Sequence, residues 1–160
     1  MPQEIISALA TTAHQIGSIV LTGSLFFLLF VVRPASRQSL GVRERQEFFL
    51  VLYRYMFHWL WFALLLIWSS GLWQVRLLDS AIPLPIQIML GGGALVSVLT
   101  ILGQIIRYFH LTEHIEGERW PQAGRLSSLV RVLMAAALLA SLVSLLAGVA
   151  APYLVPSPTG

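Results

Sequence analysis

Four long apolar runs separated by short polar links organise this chain. The first extends over about residues 5–32 and carries no charge, although Ser7, Thr11, Thr12, His14, Gln15, Ser18, Thr22 and Ser24 interrupt it. The second covers about residues 50–75, led in by Phe48, Phe49, Tyr53 and Tyr55 and ending near Trp73. The third, about residues 84–110, starts beside Pro83 and Pro85, where proline is tolerated because the N–H groups of a first helical turn have no partner within the helix. The fourth, about residues 127–154, is rich in alanine, serine and glycine. At 1.5 Å per residue, each run is long enough to cross a ~30 Å hydrocarbon core. The pattern predicts an all-α fold, an integral membrane four-helix bundle. It forms a single transmembrane domain over residues 1–155, with a flexible tail at 156–160. A cleaved signal peptide is not expected, because Glu4 opens the first segment, no basic residue precedes Arg33, and the run is too long.

Composition agrees with lipid as the solvent. Of the 160 residues, 57% are hydrophobic and 11% charged, too little polar surface to coat a soluble globule of this size. The bilayer is therefore the first expected partner. A net charge of +3 could suit nucleic acid, but all 10 basic residues are arginines at the ends of apolar runs. That placement reads as membrane orientation, and no nucleic-acid partner is expected. The chain has no cysteine, which excludes disulfides, iron–sulfur clusters and thiolate-held zinc.

Arg33, Arg37, Arg43, Arg45 and Arg54 belong to the first link or its edge, and Arg107, Arg119, Arg125 and Arg131 to the third, whereas only Arg76 lies on the other side. This bias predicts that both arginine-bearing links are cytoplasmic and that both termini are non-cytoplasmic. In a bacterium this means a multi-pass protein of the inner (plasma) membrane with periplasmic N- and C-termini.

Polar groups inside hydrocarbon tend to face protein or a cavity. At 100° per residue, Ser7, Thr11, His14, Ser18 and Thr22 share one face of the first helix within about 80°. The same spacing groups Arg54, His58, Ser69 and Arg76 on the second helix, and Met89, Gly93, Thr100, Gln104 and Arg107 on the third. All three faces are expected to turn inward. The fourth helix carries only small residues on its stripe, Ala137, Ser141, Ser144 and Gly148, and is expected to serve close packing.

His14, roughly 13 Å in from the start of its run, is the leading candidate ligand. Neutral imidazole coordinates haem iron and copper, and a histidine bonded across the bundle to a hydroxyl is the plainer alternative. His58, near the arginine-bearing end of the second helix, is a second candidate for metal or cofactor, or else an interfacial residue. Gly17 and Gly93 mark places where a helix backbone or a flat ligand comes near. His110 and His114 flank Glu113 at i, i+4 spacing, which suits a metal or a solvated turn. Met89 of the third run lies ~6 Å from His14 in depth when both runs are measured from the same side.

The residues His14-Gln-Ile-Gly17, then Phe26-Phe27-Leu-Leu-Phe-Val-Val-Arg33-Pro34, then Ser70-Gly71, Ile88-Met89, Gly93, Trp120, Arg125-Leu126 and Arg131 resemble the CopD-like family of membrane proteins over most of the chain. The layout is also similar to that of membrane haem-dependent protoporphyrinogen oxidases, in which a first-helix histidine binds haem and a third-helix lysine is important. His14 falls at the matching place, whereas this sequence has no lysine and offers Gln87 and Met89 in the third run. The resemblance implies haem b held by His14, with Met89 as the candidate second axial ligand, in a protein of electron transfer or redox chemistry working with quinone or other membrane subunits. The alternatives are copper or other metal transport across the inner membrane through His14 and His58, and a non-catalytic accessory subunit of a larger membrane complex. Whether the chain is an enzyme is left open by the residues.

Overall fold

The computed structural model describes residues 2–77, 82–111, 113, 117 and 119–154. The expected tail at 156–160 and His114 lie outside the described residues, and of His110 only the backbone is described. Helix α1 spans Pro2–Phe27 and passes through a π-helical turn, Leu28–Val32, into the short helix α2, Arg33–Ser39. Helix α3 spans Val42–Arg76, α4 spans Leu84–Ile105 and ends in a second π turn, Ile106–Leu111, and α5 spans Trp120–Leu154. Four helical rods are thus long and apolar enough to cross a membrane, as the sequence predicts, and the described residues contain no strand.

The rods extend beyond their apolar runs. Helix α3 begins at Val42 rather than near residue 50, and α5 at Trp120 rather than near 127. Both extensions carry polar faces outward and continue a buried seam inward. On α3 the seam runs through Gln46, Phe49, Tyr53, Met56, Leu60 and Ala63, and on α5 through Ala123, Ser127, Val130, Met134, Ala137 and Ser141. These alternating steps of three and four residues are the spacing of a helix seam packed against neighbours. Hydropathy alone loses the extensions because their outer faces are charged, with Arg43 and Glu47 paired at 3.0 Å.

The first π turn has a local reason and a distant consequence. Pro34 has no N–H to offer the Phe30 carbonyl, and its ring would crowd that group in a regular helix. The backbone widens just before the proline and then resumes. Leu21, Leu25 and Leu28 are buried at regular helical spacing, so Val32 would come next on that face. Across the π turn Arg33 is buried instead, followed by Ser36.

Helix α1 packs mainly on α3, and α4 on α5, with α1 also against α5 and α3 against α4. Helices α3 and α5 touch as well, so α1 and α4 sit on the long diagonal of the bundle. The small-residue stripe of α5 faces α4: the Gly92 position abuts Ser144 and the Ala140 carbonyl, and Gly148 abuts Met89. Small residues allow this close approach.

Burial is uneven along the bundle axis. Leu21, Leu25, Leu28, Phe57, Leu60, Val96, Val130 and Met134 form a core in the half nearer the arginines. In the other half, α1 before Gly17 and α5 after Ser141 contribute no buried side chain among the described residues. Exposed Ile5, Leu9, Ile19, Phe26, Leu139, Val143 and Leu146 present an outer surface suited to lipid.

Candidate functional site

His14 lies in the thinly packed half, against α3. Its Nδ1 is 3.1 Å from the Ile67 carbonyl oxygen and 3.2 Å from Ser70 Oγ. A carbonyl can only accept, so the first contact requires a proton on Nδ1. The Ser70 hydroxyl donates to the Leu66 carbonyl, which leaves its oxygen free to accept from the same imidazole N–H. Both partners therefore select one neutral tautomer, with the lone pair on Nε2. No hydrogen bond occupies Nε2 among the described residues.

The ring finds room because position 71 is glycine. A Cβ there would stand 3.2 Å from His14 Cε1 and 3.3 Å from Nδ1, tighter than ordinary contact. One turn farther along α3, on the face shared with Ser70 by i, i+4 spacing, Gln74 holds a buried Nε2 donor with no acceptor. Two other hydroxyls of the α1 stripe are satisfied locally, Thr11 on the Ser7 carbonyl at 3.0 Å and Ser18 on the His14 carbonyl at 2.8 Å. Such back-bonding frees a hydroxyl from needing a cavity.

The remaining sequence candidates are not brought to His14. Gly17 meets a helix: a Cβ there would lie 2.9 Å from the Ala63 carbonyl oxygen and 2.9 Å from Ile67 Cγ1. That glycine sets the close crossing of α1 and α3 and leaves no space for a flat ring. Met89 ends against Gly148 of α5, with its Cε 3.3 Å from where a Cβ would stand. Met89 and His14 thus contact different helices. Gly93 is only loosely approached, by Trp68 at 3.7 Å.

His58 is exposed, and its Nδ1 bonds the Arg54 carbonyl of its own helix at 2.6 Å. It precedes Gly71 by thirteen residues, ~20 Å along α3, so one ion cannot join it to His14. Arg54, Ser69 and Arg76 are exposed with it, contrary to the expected inward face. The α3 interior is taken by Phe49, Tyr53, Phe57 and Leu60, while Ser69 satisfies its hydroxyl on the Leu66 carbonyl at 3.3 Å. Among the described residues no three histidine, aspartate or glutamate side chains converge as a metal site.

No protein-family model, curated protein or solved structure matches this chain. Function is therefore read from the chemistry of its own side chains.

A second polar centre lies at the arginine-bearing end of the bundle. Arg33, only 9% exposed, donates from Nη2 to the Tyr53 hydroxyl and to the Ser127 carbonyl at 3.0 Å, and its guanidinium lies 4.7 Å from the Phe49 ring centre. These contacts join α2, α3 and α5 through one cation. The available signal was Pro34, which follows Phe30 at the spacing that displaces a helical turn. Between α3 and α4, Trp68 Nε1 donates to Ser97 Oγ at 3.0 Å and Trp61 Nε1 to Gln104 Oε1.

Proposed function

We propose that this chain is an integral membrane protein of CopD-like type that binds haem b, with His14 Nε2 as an iron ligand, in the half of the bundle remote from the arginines. The observation that carries the reading is the Nδ1 hydrogen bond to the Ile67 carbonyl. A histidine that ligates metal through one nitrogen commonly donates from the other to a carbonyl or carboxylate, which fixes its tautomer and raises its basicity. The sparse burial around His14 and the unpaired Gln74 donor fit an occupant with a polar edge, such as a haem carboxylate.

The fit extends to one iron ligand. Met89, packed on Gly148, is not part of it, so the reading is a haem with a single ligand from this chain's described residues. Bound there, haem would supply one-electron redox chemistry. His14 would hold the iron, Ile67 and Ser70 would orient the imidazole, and the surrounding apolar helices would limit water. In this reading the arginine links are cytoplasmic, the chain lies in a bacterial inner membrane with periplasmic termini, and quinone or another membrane subunit exchanges the electron. The absorption spectrum and metal content of the detergent-purified protein test it. A Soret band with stoichiometric iron supports it, and colourless protein after growth with ample haem precursor defeats it.

A second reading has its own observation. Both acceptors of His14 Nδ1 belong to α3, so the same bonds pin α1 to α3 without any ligand. In that case the chain is an accessory membrane subunit and His14 a structural residue. Stoichiometric copurification with other membrane chains, without chromophore or metal, distinguishes this outcome.

A further inference from the structure

The arginine-bearing end of the bundle holds a cleft of about 440 Å³ between α2, the start of α3 and the start of α5. Arg33, Arg37, Arg45 and Arg131 line it together with Gln46, and no carboxylate does so among the described residues. Among the described acids, Glu47 binds Arg43 at 3.0 Å, Glu113 lies 3.7 Å from Arg119, and Glu44 turns its carboxylate toward Gly41. Four like charges around one concavity repel one another unless something negative sits between them.

Two buried atoms point the same way. Arg33 is 9% exposed, and although its Nη2 is bonded, its Nε–H has no acceptor. Gln46 is 6% exposed, and its Oε1 has no partner. Turning that amide over presents its NH2 donors at the same place. An unmet buried donor is unfavourable, and an anion with several oxygens would satisfy both residues at once. Arginine forks match phosphate oxygens in pairs, which lysine cannot do.

The cleft opens where the apolar rods end, the level at which lipid headgroups lie. Basic pockets between transmembrane helices at this level suit phosphate headgroups. We infer that the cleft is a phosphate-binding site that takes the headgroup of an anionic phospholipid. It is remote from His14 and independent of any haem.

The test uses the full chain in neutral detergent. Binding of phosphatidylglycerol, phosphatidylcholine and inorganic phosphate is measured by native mass spectrometry and by shifts in thermal unfolding. The variants are Arg33→Gln and the double variant Arg37→Gln/Arg45→Gln. Arg33 also braces α3 and α5, so its variant tests folding as well as binding, whereas Arg37 is exposed and Arg45 half-buried, which keeps the double variant informative. Wild type should retain and be stabilised by phosphatidylglycerol over phosphatidylcholine, and the double variant should bind it about thirtyfold more weakly, the effect of two arginines at an anionic headgroup. Protection by inorganic phosphate alone, with the same arginine dependence, would keep the phosphate site and overturn the lipid as its occupant. Equal binding of every probe by wild type and double variant would overturn the site.

Discussion

His14 Nδ1 stands 3.1 Å from the carbonyl oxygen of Ile67, a bond that joins the first two membrane-spanning rods and fixes which imidazole nitrogen keeps its proton. Ser70 Oγ is a second acceptor at 3.2 Å. Ser70→Ala removes only that second acceptor, so the tautomer survives. The variant should retain any bound haem while losing about 0.5–1.5 kcal/mol of stability, the usual worth of one hydrogen bond. Soret intensity and thermal unfolding, measured on the same sample, check both parts.

Gly17 and Gly91 make a matched pair of tests on helix packing. A methyl at Gly17 would press on the Ala63 carbonyl of α3, whereas a methyl at Gly91 meets nothing within 4 Å. Gly17→Ala should therefore push α1 from α3 and destabilise the bundle by about 1–3 kcal/mol. Gly91→Ala should be neutral or stabilising by up to about 1 kcal/mol, because alanine is the better helix former. Equal melting temperatures for the two variants would contradict the crossing described for α1 and α3.

Tyr53→Phe tests the buried arginine. Tyr53 is fully buried and its hydroxyl accepts from Arg33. Phenylalanine keeps the shape but leaves the guanidinium with fewer acceptors, which should lower stability by about 1–3 kcal/mol. An unchanged unfolding midpoint would mean that Arg33 finds its partners elsewhere.

What the sequence revealed depended on how each signal is carried. The four rods were legible because apolar length is a direct requirement of a bilayer. The small-residue stripe of α5 was legible because spacing and size alone define it. The inward placement of His58, Ser69 and Arg76 was not realised, because angular grouping shows that residues share a face without saying which way it turns. On α3 the aromatic seam occupies the interior. The burial of Arg33 is not legible in the sequence because a π turn shifts the buried face by one position, which regular 100° steps cannot anticipate. His14 stands out in the sequence as a histidine inside an apolar run, but its contact with Gly71 depends on the α1–α3 crossing, which no local pattern encodes. The family resemblance pairs Met89 with His14 at depths only ~6 Å apart, and the diagonal placement of α1 and α4 separates the two residues.

The arginine bias gives a topology that can be checked without purification. A reporter fused after Gly160 should be active in the periplasm, and reporters inserted beside Arg43 and Arg119 should be active in the cytoplasm. A cytoplasmic Gly160 would reverse the orientation assigned to the His14 half of the bundle.

The most direct measurement compares the absorption spectra of wild type and His14→Asn, both purified from haem-replete cells. Asparagine can still donate an N–H to the Ile67 carbonyl, but it provides no imidazole Nε2. If His14 ligates haem, wild type carries a Soret band and His14→Asn folds with that band lost. A band of equal intensity and position in both proteins would contradict ligation by His14, and so would its absence from wild type.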